Sequence, residues 1–493
     1  MEKSSKYQII FYIQILLIAY MLLTRFALIF SYNLDADGAE FAFMHHIQQL
    51  LKGNELYPDP YVYPYSFVIY APLYLYIVFF ISKIIHLNYI TDIHEIYVVG
   101  RIVSFLCVIG CLFIVDKLIK KHTTSLFIRV SSVFVFLNII SGHAFVLRSD
   151  GMKILFFLGF IYNYLNYFFY DKKPKNLVLL LLFSILSFLA KQDVIVYVIL
   201  LLSIHFLYAR NKSIFVVLVL SIMSFLLASI ALKTVFGNFC FDNLLLFNLQ
   251  TITSIKSSYN LLVVLFNTCR LLPVYMLLIY VIFQLRSKDE MLLKILITTS
   301  LIAAFLSSFF LFRPGSYLNY TYESSVLLML ALFFVLRKYA QQFSVLIIVY
   351  FALFFMSNLV IKNYRYFPAK EERYCTEYKD YFIMRKQLLP LLNHHESLFT
   401  PELMLSIFFA DKNVIYGQEF HLDRLIYVLL GFQSESKLLF NSSEKYDENF
   451  VNGNVRYILT LDKKEAKEVL EKHYKHYTWK QNINHCLLYE FKE

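Results

Sequence analysis

Residues 33–72 read NLDADGAEFAFMHHIQQLLKGNELYPDPYVYPYSFVIYAP, and this stretch decides how the rest of the chain is read. It directly follows an apolar run that ends near Phe30. It holds Asp35, Asp37 and Glu40, then an amphipathic segment, then a Pro- and Tyr-rich passage leading into the next apolar run. Carboxylates at a membrane face are costly unless they are solvated, paired or used in chemistry. Three so close together mark a candidate site. From Glu40 to Leu51, Phe41, Met44 (or His45), Gln48 and Leu51 recur at helical spacing, and Gly53 is a suitable stop. The spacing predicts a helix lying along the membrane surface, with the carboxylates at its N-terminal end.

Working outward, the apolar runs set the class. Hydrophobic residues make up 59% of the 493, with mean hydropathy +0.57, against about 45–50% in soluble domains. The excess comes in runs long enough to cross about 30 Å of hydrocarbon. After the first they lie near 66–85, 96–115, 125–142, 152–170, 177–190, 193–209, 213–236, 259–284, 291–312, 322–337 and 341–361. The expected fold is an α-helical polytopic membrane protein of about 11–13 transmembrane helices. The first run is too long for a cleaved signal and has no A-x-A-like exit, so it reads as a retained span.

The net charge of +11 raises a nucleic-acid reading, which its distribution excludes. Residues 1–361 carry 27 basic and 16 acidic residues, whereas the remainder is balanced at 19 of each. The excess sits in short clusters between apolar runs: Lys117/Lys120/Lys121, Lys172/Lys173/Lys175, Arg210/Lys212, Arg286/Lys288 and Arg337/Lys338. This is the positive-inside pattern. With Lys3 and Lys6 also inside, the first loop and the tail fall outside. Counting every run as a crossing would put Lys117–Lys121 on the wrong side. The expectation is therefore that 66–85 does not cross fully, which gives about eleven crossings.

With that topology, four polar sets share the outer face: Asp35, Asp37 and Glu40; Arg148 and Asp150; Lys191, Gln192 and Asp193; and Arg313 with Tyr317, Asn319, Tyr320 and Glu323. Each alone has a plainer reading. Asp35-x-Asp37 is common in solvated loops and helix caps, and Arg148 with Asp150, or Lys191 with Asp193, can simply pair. Convergence on one face is what suggests chemistry. An outer-face transferase has no nucleotide donors and must draw on a lipid phosphate carrier. It then needs a base for the acceptor hydroxyl and cations for the departing phosphate.

The chain also resembles a known family. The order is a first span, an Asp-containing amphipathic helix ending in KGNELYPD, then YAPLYLYI, VGRIVSF, VLRSDGMKILFFLGF and GSYLNYTYESSVLLMLAL. It resembles the GT-C superfamily of polyprenyl-phosphate-sugar-dependent glycosyltransferases, nearest the protein mannosyltransferase-like and aminoarabinose-transferase-like proteins of bacterial envelopes. The likeness covers about residues 7–361. It implies transfer of a sugar, with inversion, from a polyprenyl-phosphate-linked donor to a glycan, lipid or protein acceptor outside the plasma (inner) membrane. Asp37 best matches the family's catalytic base, with Asp35 second and Glu40 third; Gly38 stands where the family often has Glu. Arg148, Lys191 and Arg313 match the basic residues that hold the carrier phosphate, with Asp150, Asn319 and Tyr320 beside them. Asp35 or Glu40 is the alternative seat for a divalent metal. Tyr70-Ala71-Pro72 departs by one residue from the family's usual Pro-Pro ending.

Residues 1–361 thus read as a catalytic transmembrane domain, with 32–65 as its first outer loop, and 362–493 as a soluble extracytoplasmic α/β domain. In the latter, LLPLLNHHESLFT, DKNVIYG and VRYILTL look like helix and strand pieces, and HCLLYEFKE like a terminal strand. Cys375 and Cys486 are able to pair if that domain is extracytoplasmic. Cys107 and Cys111 read as inert core residues, and His45-His46 and His394-His395 as weak metal candidates. One rival from another class is a transporter or flippase of lipid-linked or small polar substrates, whose charges would lie at mid-membrane. Another is a glycan-polymerising or ligating enzyme, which would need a larger late loop than 237–258.

Overall fold

The computed structural model describes residues 2–36, 40–59, 68–241, 243–244, 275–285, 290–311, 318–335, 370–392, 397–400, 407–411, 414–416, 451–453, 455–460, 476–483 and 486–492. Asp37, Arg313, Tyr317, Arg286, Lys288, Arg337, Lys338, His394 and His395 lie outside them. So do the expected run 341–361 and most of 259–284.

Helix α1 (Glu2–Ile29) leads to α2 (Glu40–Lys52) and α3 (Pro72–Ile84). Six further helices follow in close succession: α4 (Ile93–Lys120), α5 (Leu126–Ile140), α6 (Asp150–Leu165), α7 (Pro174–Ala190), α8 (Val194–Ala209) and α9 (Lys212–Phe236). Then come α10 (Tyr275–Gln284), α11 (Met291–Leu311) and α12 (Asn319–Val335). Four of these, α1, α4, α9 and α11, are long and apolar enough to cross a membrane alone. On α1 and α9, Leu16, Leu23, Leu227 and Ile230 are each more than 60% exposed. Large aliphatic side chains facing outward along whole helices suit a lipid surface. The chain is a multi-pass membrane protein.

The direction of each helix follows from its contacts. Gln14 on α1 bonds Ser131 on α5, and Arg25 donates to the Ser141 carbonyl at 2.5 Å, so the two run parallel. At one end of the bundle Lys121 donates to Asn166, Tyr164 bonds His205, and the His122 ring meets Phe334. Lys117, Lys120, Lys121, Lys172, Lys173, Lys175, Arg210 and Lys212 all lie at this end, as one membrane face would gather them. At the other end His94, at the start of α4, lies 3.2 Å from the Phe30 carbonyl at the end of α1. Segment 30–92 therefore leaves and returns at the same end. Helix α3 has 13 residues, about 20 Å, and Tyr74 near its start bonds the Gly100 carbonyl two turns down α4. Helix α3 therefore lies beside the first turns of α4, at the end where α1 finishes.

Helix α2 differs from its expected form. A surface helix would bury one stripe. Here Glu40 to Gln48 are buried on every side. Helix α3 packs on one flank, and a piece of the tail caps another: Gln48 donates to the Ile407 carbonyl at 2.8 Å and to that of Tyr89 at 2.6 Å.

In the tail, α13 (Glu371–Leu388) precedes a five-stranded sheet of β1 (Ser397–Thr400), β2 (Val414–Tyr416), β3 (Val455–Thr460), β4 (Tyr477–Ile483) and β5 (Cys486–Phe491). Its order is β2-β1-β3-β5-β4; β1 runs parallel to β2 and β3, while β5 is antiparallel to β3 and β4. Cys375 on α13 and Cys486 in β5 are both free thiols, so the pairing considered for them is not present. Cys107 and Cys111 are buried in α4.

Candidate active site

The first loop is held by one buried arginine. Arg101 sits two turns into α4 with no exposure. Its Nε donates to Glu40 Oε1 at 2.9 Å and its Nη2 to Glu40 Oε2 at 2.7 Å. The remaining donors go to the carbonyls of Leu28 (3.1 Å), Ser31 (2.8 Å) and Asn33. All five guanidinium N–H groups are thereby engaged. Glu40 in turn accepts the N–H of Ala36 through Oε2 at 2.9 Å and the N–H of Leu147 through Oε1 at 2.6 Å. Asp35 Oδ1 accepts the N–H of Glu40 at 3.1 Å. This is the reciprocal logic of a helix N-terminal box, stretched over a longer loop. Glu40, the third candidate for the base, is thus occupied as an anchor between α4, the first loop and segment 143–149. Its oxygens face a guanidinium and two backbone donors, and so tie these three segments together.

A second cluster lies beside it at the same end of the bundle, joined through Leu147. Arg148 Nε donates to Asp150 Oδ2 at 3.0 Å, at the first residue of α6. Asp150 Oδ1 accepts from Lys191 Nζ at 2.9 Å, where α7 ends, and from Asn319 Nδ2 at 3.1 Å, where α12 begins. One turn further in, Lys153 meets Glu323 Oε1 at 2.7 Å, Asp193 Oδ2 at 3.3 Å and the Asn319 carbonyl at 3.4 Å. The Lys191 ammonium also lies 4.5 Å over the Tyr320 ring. Gln192 Nε2 reaches the Ile69 carbonyl at 2.8 Å and so ties the α7–α8 turn to the chain just before α3.

Close approach explains the Gly in the sequence RSDGMK. A Cβ on Gly151 would stand 2.6 Å from the Ala144 carbonyl oxygen and 3.3 Å from that of Ser104. Only glycine lets α6 start so close to the 143–145 turn and to α4, and that closeness aims Asp150 at Lys191.

Of the expected site residues, the structure brings together Arg148, Asp150, Lys191, Asn319 and Tyr320, with Asp193 and Glu323 at their back. Asp35 and Glu40 lie in the adjoining loop. Lys191 and Asp193 do not pair with each other: Lys191 turns to Asp150, and Asp193 to Lys153. Arg101 and Lys153 were not singled out beforehand. The available signal was a cation inside an apolar run, which in a membrane must find a partner. Among the described residues no three His, Cys, Asp or Glu side chains converge as a metal site, and Asp35 and Glu40 direct oxygens at backbone donors and Arg101.

No known family profile matches the sequence, and no curated protein matches it. Solved structures do. ArnT from Cupriavidus metallidurans, bound to undecaprenyl phosphate, superposes with a TM-score of 0.58 at 12% identity, over 96% of this chain and 97% of that one. The archaeal oligosaccharyltransferase AglB from Archaeoglobus fulgidus, in complex with an inhibitory peptide and a dolichol-phosphate, gives 0.55 at 12% identity, over 95% of this chain and 72% of that one. Both are GT-C proteins. The chain shares their polytopic helical fold, and carries its small sheet after the helices.

Proposed function

We propose that this protein transfers a sugar from a polyprenyl-phosphate-linked donor to an envelope glycan, lipid or protein acceptor, at the outer face of the plasma membrane. The observation that carries the reading is where the charges lie. Asp150, Lys191, Asp193 and Asn319 all stand at helix ends, at one end of the bundle, beside the loop that bears the acidic trio. A transporter relay would be strung along helix middles near mid-membrane. Charges gathered at a membrane face suit a lipid phosphate whose chain stays in the bilayer and whose sugar stands in water.

In the proposed reaction Asp37 takes the proton from an acceptor hydroxyl. The acceptor oxygen attacks the anomeric carbon from the face opposite the phosphate. The bond from that carbon to the phosphate oxygen breaks, and polyprenyl phosphate departs with the electron pair. One displacement inverts the anomeric centre. Lys191 and Arg148, with Arg313, stabilise the charge that develops on the leaving oxygen. Two arguments favour Asp37 within the trio: Asp35 Oδ1 caps α2, and Glu40 is bound by Arg101. The fold shared with proteins crystallised on undecaprenyl and dolichol phosphates supports the donor class.

The test is to incubate wild type and Asp37→Asn, purified in detergent, with a panel of radiolabelled polyprenyl-phosphate sugars and an envelope-lipid fraction. Transfer by wild type and a loss of 10²-fold or more in an equally stable variant, roughly the worth of a general base, is expected. Full activity in Asp37→Asn would move the base elsewhere.

A further inference from the structure

We infer that the C-terminal domain clamps the first loop from both flanks, with Glu371 as the positioning residue that fixes the loop's entry. This rests on the proposed reading only in calling that loop catalytic. The contacts stand without it.

On the entry side, Glu371 at the start of α13 reaches back across more than 330 residues. Its Oε2 accepts from Ser31 Oγ at 2.6 Å, and its Oε1 from the Tyr32 N–H at 2.5 Å. Ser31 Oγ also accepts the Asn33 N–H at 3.1 Å, and the Ser31 and Asn33 carbonyls are the ones that Arg101 binds. One carboxylate thus holds the outer side of a turn whose inner side is held by the buried arginine. The Tyr32 ring is stacked between α4 and α13: its centroid is 3.9 Å from the His94 ring in parallel and 5.1 Å from Tyr378 edge-on.

On the exit side the tail returns to α2. Gln48 donates to the Ile407 carbonyl at 2.8 Å and Lys52 to that of Ala410 at 3.4 Å. Segment 407–411 is itself locked to α13, since Arg385 grips Asp411 with both nitrogens at 2.7 and 2.8 Å and also donates to the Phe408 carbonyl. The same rigid piece of tail therefore touches the chain just before Asn33 and again on α2. Residues 33–40 lie between these two points. A domain that only received an acceptor would not need to grip both flanks of a loop in the bundle.

The test uses the full-length chain and compares wild type with Glu371→Ala, Glu371→Gln and Gln48→Leu. The first readout is hydrogen–deuterium exchange of peptides covering 30–41. Losing bonds to a charged acceptor is expected to raise exchange there by roughly tenfold or more in Glu371→Ala, less in Glu371→Gln, which keeps one acceptor. Gln48→Leu raises it from the other side. Exchange in α5 and α6 stays at the wild-type level, which separates local release from misfolding. The second readout is the transfer assay: kcat falls about tenfold while KM for the donor stays within about twofold, and Glu371→Gln recovers part of the loss. Unchanged exchange over 30–41 in Glu371→Ala and Gln48→Leu would overturn the clamp whatever the activity. Raised exchange with a wild type that transfers nothing would keep the clamp and overturn the proposed function instead.

Discussion

Two buried charge clusters sit side by side in this protein and are built on opposite terms. Around Arg101 every guanidinium donor has an acceptor and each Glu40 oxygen meets a backbone donor. Around Asp150 the balance is looser. Among the described residues Asp193 Oδ1 and Asn319 Oδ1 are buried and meet no donor, and Lys191 shares its ammonium between Asp150 and the face of Tyr320. A closed cluster fixes geometry. A cluster with unmet acceptors and a shared cation has room to accept a ligand's groups. In the proposed reaction the first holds the loop, and the second offers its shared cation to the phosphate and its unmet acceptors to sugar hydroxyls.

Breaking the closed cluster should show the largest effect on folding. Arg101→Met leaves Glu40 and three carbonyls without their cation, and removing one partner of a buried pair costs about 3–5 kcal/mol. Lys153→Met should approach that figure, because Lys153 is fully buried among carboxylates. Thermal unfolding in detergent measures both; a transition like wild type in Arg101→Met would dissolve the distinction drawn here.

At Lys191 the expected signs reverse. Lys191→Gln keeps a donor near Asp150, whose partners Arg148, Lys153 and Asn319 remain, so stability should fall by less than in Arg101→Met. Transfer should fall by roughly 10²–10³-fold, the worth of a donor aimed at a developing oxyanion. A Lys191→Gln protein that is unstable but, per folded molecule, fully active would place this residue with the closed cluster.

Gly151→Ala probes the seam between the two. The added Cβ collides with the Ala144 carbonyl, and relieving it should cost about 1–3 kcal/mol. It should also lower transfer, since Asp150 is displaced with the helix start.

An effect of pH on α2 starts from nothing near neutrality and grows with acid. Burial pushes His46 down from 6.5 to about 3, and His45 is lowered by burial and by its neighbour His46. A folded-state value below the unfolded one means the unfolded chain binds more protons. Stability should therefore fall as pH drops below about 6.5, by up to about 1.4 kcal/mol per unit for each histidine. Melting curves at pH 7.5 and 5.0 measure it, and His46→Gln should flatten the difference.

Much of this arrangement is legible in the sequence, and the remainder has identifiable causes. Apolar run length locates the helices, and basic clusters sort their ends. The residues that gather around Asp150 can be picked out because each stands at the edge of an apolar run. What periodicity does not reveal is what covers the far side of a helix. Phe41, Met44 and Gln48 predict one buried stripe on α2, yet His45, His46 and Phe43 are buried too, by α3 and by tail residues more than 350 positions away. Partner choice is hidden for the same reason. Glu40 reads as a possible base until Arg101, 61 residues on, is seen to hold it.

The most direct measurement is binding of polyprenyl monophosphate to wild type and Lys191→Gln, followed by native mass spectrometry in detergent. The account predicts a bound lipid on wild type and at least tenfold weaker binding in the variant, with a melting shift smaller than that of Arg101→Met. Equal occupancy in both proteins would contradict the claim that the cluster around Asp150 receives the carrier phosphate.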